Sequence, residues 1–375
     1  MIFEMMKRKL RICFHNGNIK YKVSNDVRWE STNWRLKMKL IKTVDAVGHV
    51  LCHDMTRIIP GVEKGAAFRK GHIVKEEDIP VLLSMGKENL YVWEVREGIL
   101  HENEGAEILC KICINEHMTR SETKEGKIEI FAETDGLLKV NTEALNQVNS
   151  LGEMMIATIH GNFPVKKGDK IAATRIIPLI IEEEKMKRAQ EVAGRKPILE
   201  ILPFHNPKAA IITTGSEVYS GRIKDAFGPV IREKLSEYNV EVIGQTILGD
   251  NQEKITAQIL KYIGEGAQMI LCTGGMSVDP DDTSPSAIKA TGGEIISYGA
   301  PVLPGAMFLL AYVNGIPVMG LPGCVMYAKR TIFDLVLPRV LAGEKLTKED
   351  LSTYGEGGLC LSCPICHFPN CGFGK

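Results

Sequence analysis

A chain of 375 residues has room for two or three domains. Its 46 basic and 46 acidic side chains cancel, which argues against a polyanion such as nucleic acid as partner of the whole protein. No apolar run reaches the roughly 18–20 residues of a helical bilayer span, so no membrane segment is expected.

The first 37 residues stand apart. They hold nine Lys/Arg against three Asp/Glu and no apolar stretch of signal-peptide length. Met38 opens a better-patterned segment. The preceding residues read as a spurious upstream start, a basic tail or a targeting sequence, the first being preferred. Ten cysteines without a secretory signal fit a reducing cytoplasm, where metal ligation or free thiols are expected rather than disulfides.

Residues 38–204 predict a smaller, β-rich α+β region. Glu76-Glu77-Asp78 leads into Ile79–Leu83 as a helix start with acids at its positive end. Asn89–Trp93 reads as a strand. Residues 102–117 read as an amphipathic helix whose Ala106, Leu109, Cys110 and Cys113 share one face. That Cys-x-x-Cys pair is therefore assigned to core packing. Short β-like runs follow at 128–131, 155–158 and 170–174, and a charged helical connector at 183–192.

From 205 to 345 strands and helices alternate. Strands are predicted at 209–214, 240–247, 269–272, 294–296 and 316–320, with a buried strand within 307–313. Helices are predicted at 228–238, 252–264, 284–291 and 327–341. This alternation implies an α/β domain of three layers, a parallel sheet with helices on both faces. Ligands of such domains bind beyond the carboxyl ends of the strands.

Three apolar strands run directly into Gly-containing loops: Thr214-Gly215-Ser216-Glu217, Thr273-Gly274-Gly275-Met276-Ser277, and Leu321-Pro322-Gly323. Glycine lets backbone N–H groups approach an oxyanion, and the hydroxyls add donors. Glu217, Asp250, Asp279, Asp281 and Asp282 gather around these loops. Carboxylates beside a phosphate repel it unless a divalent cation intervenes, which points to Mg²⁺. Alternatively, Asp279–Asp282 is an exposed loop with Asp282 or Ser284 capping the next helix.

At these residues the sequence resembles the molybdopterin-binding domain of the molybdopterin molybdenumtransferase family. That family's pattern runs T-G-D/S-E, G-G-x-S-x-G-x-x-D, K-P-G-K and L-P-G-N-P. Here the corresponding segments are Thr214–Glu217, Gly274–Asp282, Leu303-Pro304-Gly305-Ala306 and Leu321-Pro322-Gly323-Cys324-Val325, in the same order. The resemblance covers about 208–343 clearly and 40–200 weakly. It implies binding of molybdopterin or its adenylated form, insertion of molybdate with release of AMP, assistance by Mg²⁺, and a homodimer. Glu217, Asp250 and Asp282 would be the catalytic acids. Thr214, Gly215, Ser216, Thr273, Gly274, Gly275, Ser277, Pro304, Gly305, Pro322 and Gly323 would hold the pterin and its phosphate.

The chain departs from the pattern at the cations. Both lysines of K-P-G-K are replaced, by Leu303 and Ala306. Cys324 and Val325 replace Asn-Pro, and Asp279 replaces a Gly. Losing one oxyanion donor costs roughly 10²–10³-fold in rate. The alternative to a transferase is a non-catalytic protein that holds the pterin or finished cofactor and delivers it to a client molybdoenzyme.

Residues 346–375 form a cysteine-rich tail. Cys360, Cys363, Cys366 and Cys371 lie within twelve residues, a spacing able to surround a zinc ion or an iron–sulfur cluster. The competing expectation is an unstructured tail with free thiols.

Overall fold

The computed structural model describes residues 12–15, 18–21, 38–59, 63–93, 98–277 and 282–375. The chain divides into two compact units, 1–97 and 98–375.

In the first unit, Asn89–Trp93 is the centre of a three-stranded antiparallel sheet with Met38–Lys42 and Val50–Leu51. Leu90 and Val92 point inward with Leu51, Met55 and Leu82, giving this unit its own core. The helix Asp78–Ser84 starts where the acids predicted it. Asp78 accepts hydrogen bonds from the Lys75 backbone N–H at 2.8 Å and pairs with His72 Nε2 at 2.6 Å. Separate hairpins form from Ile12–His15 with Asn18–Tyr21 and from Met55–Ile59 with Glu63–Phe68.

The second unit opens with a β-rich layer. A four-stranded antiparallel sheet contains Lys127–Ala132 and Lys170–Ile176, and Gly136–Val140 pairs with Phe163–Val165 and Leu199–Pro203. The helix Glu102–Cys113 buries Ala106, Leu109, Cys110 and Cys113 against it. Burial pushes both thiols up, so they are inert packing groups as expected. The helix Thr142–Ser150, capped by Asn141, was not foreseen.

The α/β domain follows. Its strands are β1 (Ala209–Thr214), β2 (Val242–Leu248), β3 (Met269–Thr273), β4 (Glu294–Tyr298), β5 (Leu309–Val313) and β6 (Ile316–Leu321). Its helices are α1 (Ser216–Tyr219), α2 (Phe227–Ser236), α3 (Gln252–Gly264), α4 (Ser284–Ala290), α5 (Ile332–Leu341) and α6 (Lys348–Ser352). The sheet order is β2-β1-β3-β6-β5-β4. Ile211, Leu271 and Met319 face one helical layer with Ile231, Leu235 and Phe333. Ala210, Ile212, Ile270, Cys272 and Val318 face the other, with Ile255, Ile259 and Ile288. Fully burying each large aliphatic side chain contributes about 1.5–3 kcal/mol, which is why these strands read as continuous apolar runs.

The expected parallel sheet with helices on both faces is present, and its far edge adds an antiparallel part. β2, β1, β3 and β6 are parallel, but β5 is antiparallel to both β6 and β4. The cause is local. Asn314 and Gly315 between β5 and β6 have φ of 51° and 81°, the two-residue geometry that folds a chain straight back into a hairpin. The last long helix also starts later than 327. Gly323–Met326 makes a 3₁₀ turn, and α5 begins at Ile332 because Thr331 and Asp334 form a reciprocal cap.

Candidate functional site

The crossovers from β1 to β2 and from β2 to β3 leave β1 and β3 adjacent, with their carboxyl ends side by side. Gly274 has φ of 83°, and a Cβ there would stand 2.1 Å from the Thr214 carbonyl oxygen. Gly275, at φ of 53°, passes close to the hydroxyls of Thr214 and Ser284. The two strand-end loops therefore touch only because both residues lack a side chain. Thr214 Oγ1 donates to Thr273 O at 3.2 Å and lies 3.2 Å from Ser284 Oγ. Ser284 Oγ in turn donates to Gly274 O at 2.8 Å. Thr214, Thr273, Gly274, Gly275 and Ser284 are thus one cluster.

Two of the predicted acids hold this edge in shape. Asp250, beyond β2, accepts hydrogen bonds from Ser216 N and Ser216 Oγ, both at 2.8 Å. Asp282 accepts from Ser277 N at 2.7 Å and so closes the loop after β3 on itself. The cap role considered for Asp282 is not what it plays: α4 has Thr283 at its N-cap and no side-chain cap hydrogen bond. Asp279 and Asp281 lie outside the described residues. The Glu217 carboxylate makes no hydrogen bond among the described residues, though its carbonyl accepts from Arg222 and Ile223.

The other predicted segments lie at the end of β6 and at the start of α5. Pro322 O accepts from Val325 N, while Gly323 faces open space. Gly305, at φ of 130°, is pressed against Ile332, and Pro304 O accepts from Ile332 N. Leu303 is 56% exposed, so a bulky apolar group stands at the rim where the resembled family has a cation. Burial pushes the Cys324 thiol up.

Sequence reasoning missed several groups. Tyr298, from the edge strand β4, donates its hydroxyl to Met276 O at 3.0 Å, with Ser277 O at 3.4 Å. Burial and the Asp282 charge both raise its pKa, so it stays a donor. Gln245 of β2 donates to Asp225 at 2.6 Å and to Thr213 Oγ1 at 3.2 Å, and Asp225 accepts from the first N–H groups of α2. Nothing local in the sequence pairs these residues. Among the described residues Thr273 Oγ1 and Thr283 Oγ1 are buried without a hydrogen-bond partner. Orphaned hydroxyls are uncommon in protein interiors.

A divalent ion finds less. Among the described residues no three His, Cys, Asp or Glu side chains are grouped to hold a metal. Asp250 and Asp282 each commit one oxygen to a backbone N–H. The described residues alone make no magnesium cage, and no step below runs through one. Nor are Cys360, Cys363, Cys366 and Cys371 gathered around a point. Cys360 and Cys371 are half-buried, Cys363 and Cys366 exposed, and all are free thiols.

A CinA-like protein of Mycobacterium sp. (strain JLS) is 38% identical over 90 residues, which are 24% of this chain and 21% of that protein. Another from Mycobacterium avium (strain 104) is 40% identical over 75 residues, 20% and 17% of the two chains. The chain thus spans about a fifth of the length of these curated relatives. A solved molybdopterin biosynthesis MoeA protein from Pyrococcus horikosii is 18% identical with a TM-score of 0.31, covering 65% of this chain and 79% of that one. Residues 40–94 match a family described as a domain of unknown function. Residues 210–342, within the α/β part of the chain, match the family described as "Probable molybdopterin binding domain".

Proposed function

We propose that the carboxyl edge of β1, β3 and β6 binds molybdopterin or adenylated molybdopterin as part of molybdenum cofactor biosynthesis. The observation that carries this reading is the close approach of Gly274 and Gly275 to Thr214 at the adjacent ends of β1 and β3. Backbone N–H groups and hydroxyls there suit a phosphoryl oxyanion. Asp250 and Ser277–Asp282 keep both loops in the shape that presents those donors.

Holding the pterin is favoured over turning it over. A transferase must stabilise charge that develops on phosphate and molybdate, and removing such donors costs orders of magnitude. Leu303 and Ala306 supply no charge at the K-P-G-K rim. The protein then acts as a carrier that presents the pterin to a client molybdoenzyme. Adenylated molybdopterin, Mg²⁺ and molybdate are mixed with the full chain without oxygen, and retained pterin and released AMP are followed together. Retention without AMP supports the carrier. AMP release that is lost in Asp282→Ala makes the protein a molybdenumtransferase instead.

A further inference from the structure

The last residues form a strap with two pinned ends and an exposed middle. At its start, Leu303 N donates to Gly358 O and Cys360 N to Leu303 O, both at 2.8 Å. At its close, Gly374 N donates to Gly357 O at 2.9 Å, and Gly374 lies so near Leu335 that a Cβ would meet it at 2.4 Å. Phe373 is buried in the core, and Cys360, Phe368 and Cys371 pack against it. The Phe368 ring sits 5.8 Å from that of Phe163, with the Arg330 guanidinium 5.2 Å above it. The expectation of an unstructured tail therefore fails at both ends.

The middle is different. Residues 360–367 have no helix or strand. Leu361 is 79% exposed and Ile365 69%, with the Cys363 and Cys366 thiols exposed beside them. Lys329 Nζ donates to Pro364 O at 3.0 Å. Apolar burial does not order such a segment, because its apolar side chains are in water. Thiolate ligation can, since the free energy of binding a metal to an unformed site is folding free energy.

We infer that Cys360, Cys363, Cys366 and Cys371 together hold one thiophilic metal centre. Cys360 and Cys371 are already placed by the pinned ends. Cys363 and Cys366 lie on the exposed segment, and since the four thiols are not grouped in this structure, that segment must fold in for them to reach the centre. Cys371 also borders an open cavity of about 740 Å³ with His160, Glu356 and Asn370, which leaves room on that side. Four thiolates complete either a zinc ion or an iron–sulfur cluster, and the two share this ligand set. The strap is tied to Leu303, in the loop between β4 and β5, and to Lys329, in the segment between β6 and α5. Ordering the strap would therefore stiffen both loops.

The full chain is produced and purified without oxygen and assayed for zinc, iron and acid-labile sulfide. It is then stripped with a chelator and titrated with Co²⁺, whose thiolate charge-transfer absorption reports sulfur ligation. One bound Co²⁺ per chain is expected. The band is lost in Cys363→Ser and in Cys366→Ser but kept in Cys52→Ala, which lies outside the strap. Iron with sulfide identifies a cluster, and zinc alone identifies a zinc site. The inference is overturned if no charge-transfer band forms, if the band survives both strap variants, or if the strap cysteines are found as disulfides. The metal centre needs no pterin, so these outcomes are independent of whether the strand-end site binds one.

Discussion

Gly274 lies against the end of β1 so tightly that a methyl group on it would stand 2.1 Å from the carbonyl oxygen of Thr214. Gly274→Ala must therefore force β1 and β3 apart as well as strain a backbone at φ of 83°. The expected loss is about 2–5 kcal/mol. Gly266→Ala supplies the contrast: its φ is 93°, but nothing stands within 4 Å of the added Cβ. That variant should lose about 1 kcal/mol, from backbone strain alone. Urea unfolding of the two variants measures the difference, and equal losses would show that the contact with Thr214 is slack.

Asp250 ties the loop after β2 to the loop after β1 through two hydrogen bonds to Ser216. Asp250→Ala should lower stability by about 1–2 kcal/mol. It should weaken pterin retention more than an exposed substitution elsewhere on the sheet edge, such as Glu253→Ala. Thermal melts and retention assays on the same samples separate the two effects.

The Lys234–Asp334 pair spans α2 and α5 at 2.6 Å, with side-chain exposures of 8% and 3%. Asp334 also accepts from Arg330 and from Thr331 N. Asp334→Ala strands a buried ammonium and undoes the α5 cap, for a loss of about 3–5 kcal/mol. Lys234→Met should cost less, because an apolar group fills the space and Arg330 still pairs with Asp334. Chemical denaturation of both variants tests the order, and a larger loss for Lys234→Met would contradict it.

Acid should act on two named carboxylates. Burial alone would raise Asp78, but hydrogen bonds from His72 and the Lys75 N–H outweigh it and hold the carboxyl below its usual range. Asp350 is likewise pushed up by burial and pulled further down by Arg339 and Thr347. A depressed folded-state value gives stability that is complete above the unfolded value, about 3.9, and is lost as pH falls through the folded one. Melting temperatures should therefore drop as pH goes below about 4. Asp78→Asn and Asp350→Asn should each melt lower at neutral pH and show a shallower drop. An unchanged acid slope in both would remove these groups from the account.

The parts of the site legible in the sequence share one property: each is a short-range pattern. β1 and β3 are apolar runs ending in glycine, and the structure joins those ends through Gly274 and Thr214. The helical spacing of Ala106, Leu109, Cys110 and Cys113 marked them as core. What escaped depends on distant partners. Tyr298 reaches the Gly-rich loop from a strand twenty-two residues downstream. Asp225, Gln245 and Thr213 meet only after β1, α2 and β2 are assembled. The reversal of β5 was written in Asn314-Gly315, a local signal that the regular strand–helix rhythm obscured. At the level of kinship, residues 210–342 match a family described as a probable molybdopterin binding domain, while two of the curated relatives carry a CinA-like name.

The most direct test of the strand-end site is equilibrium binding of molybdopterin to the full chain, measured without oxygen for wild type and for the double variant Ser216→Ala/Ser277→Ala. Ser216→Ala also removes the hydroxyl bond to Asp250 but keeps the bond from Ser216 N, so the variant should melt only slightly below wild type, and melting curves confirm that it is folded before its affinity is read. The account predicts about one pterin retained per wild-type chain and at least about a tenfold weaker affinity in the variant, in line with the loss of hydrogen bonds to a charged group. Retention of no pterin by wild type, or equal affinity in a folded variant, would contradict it.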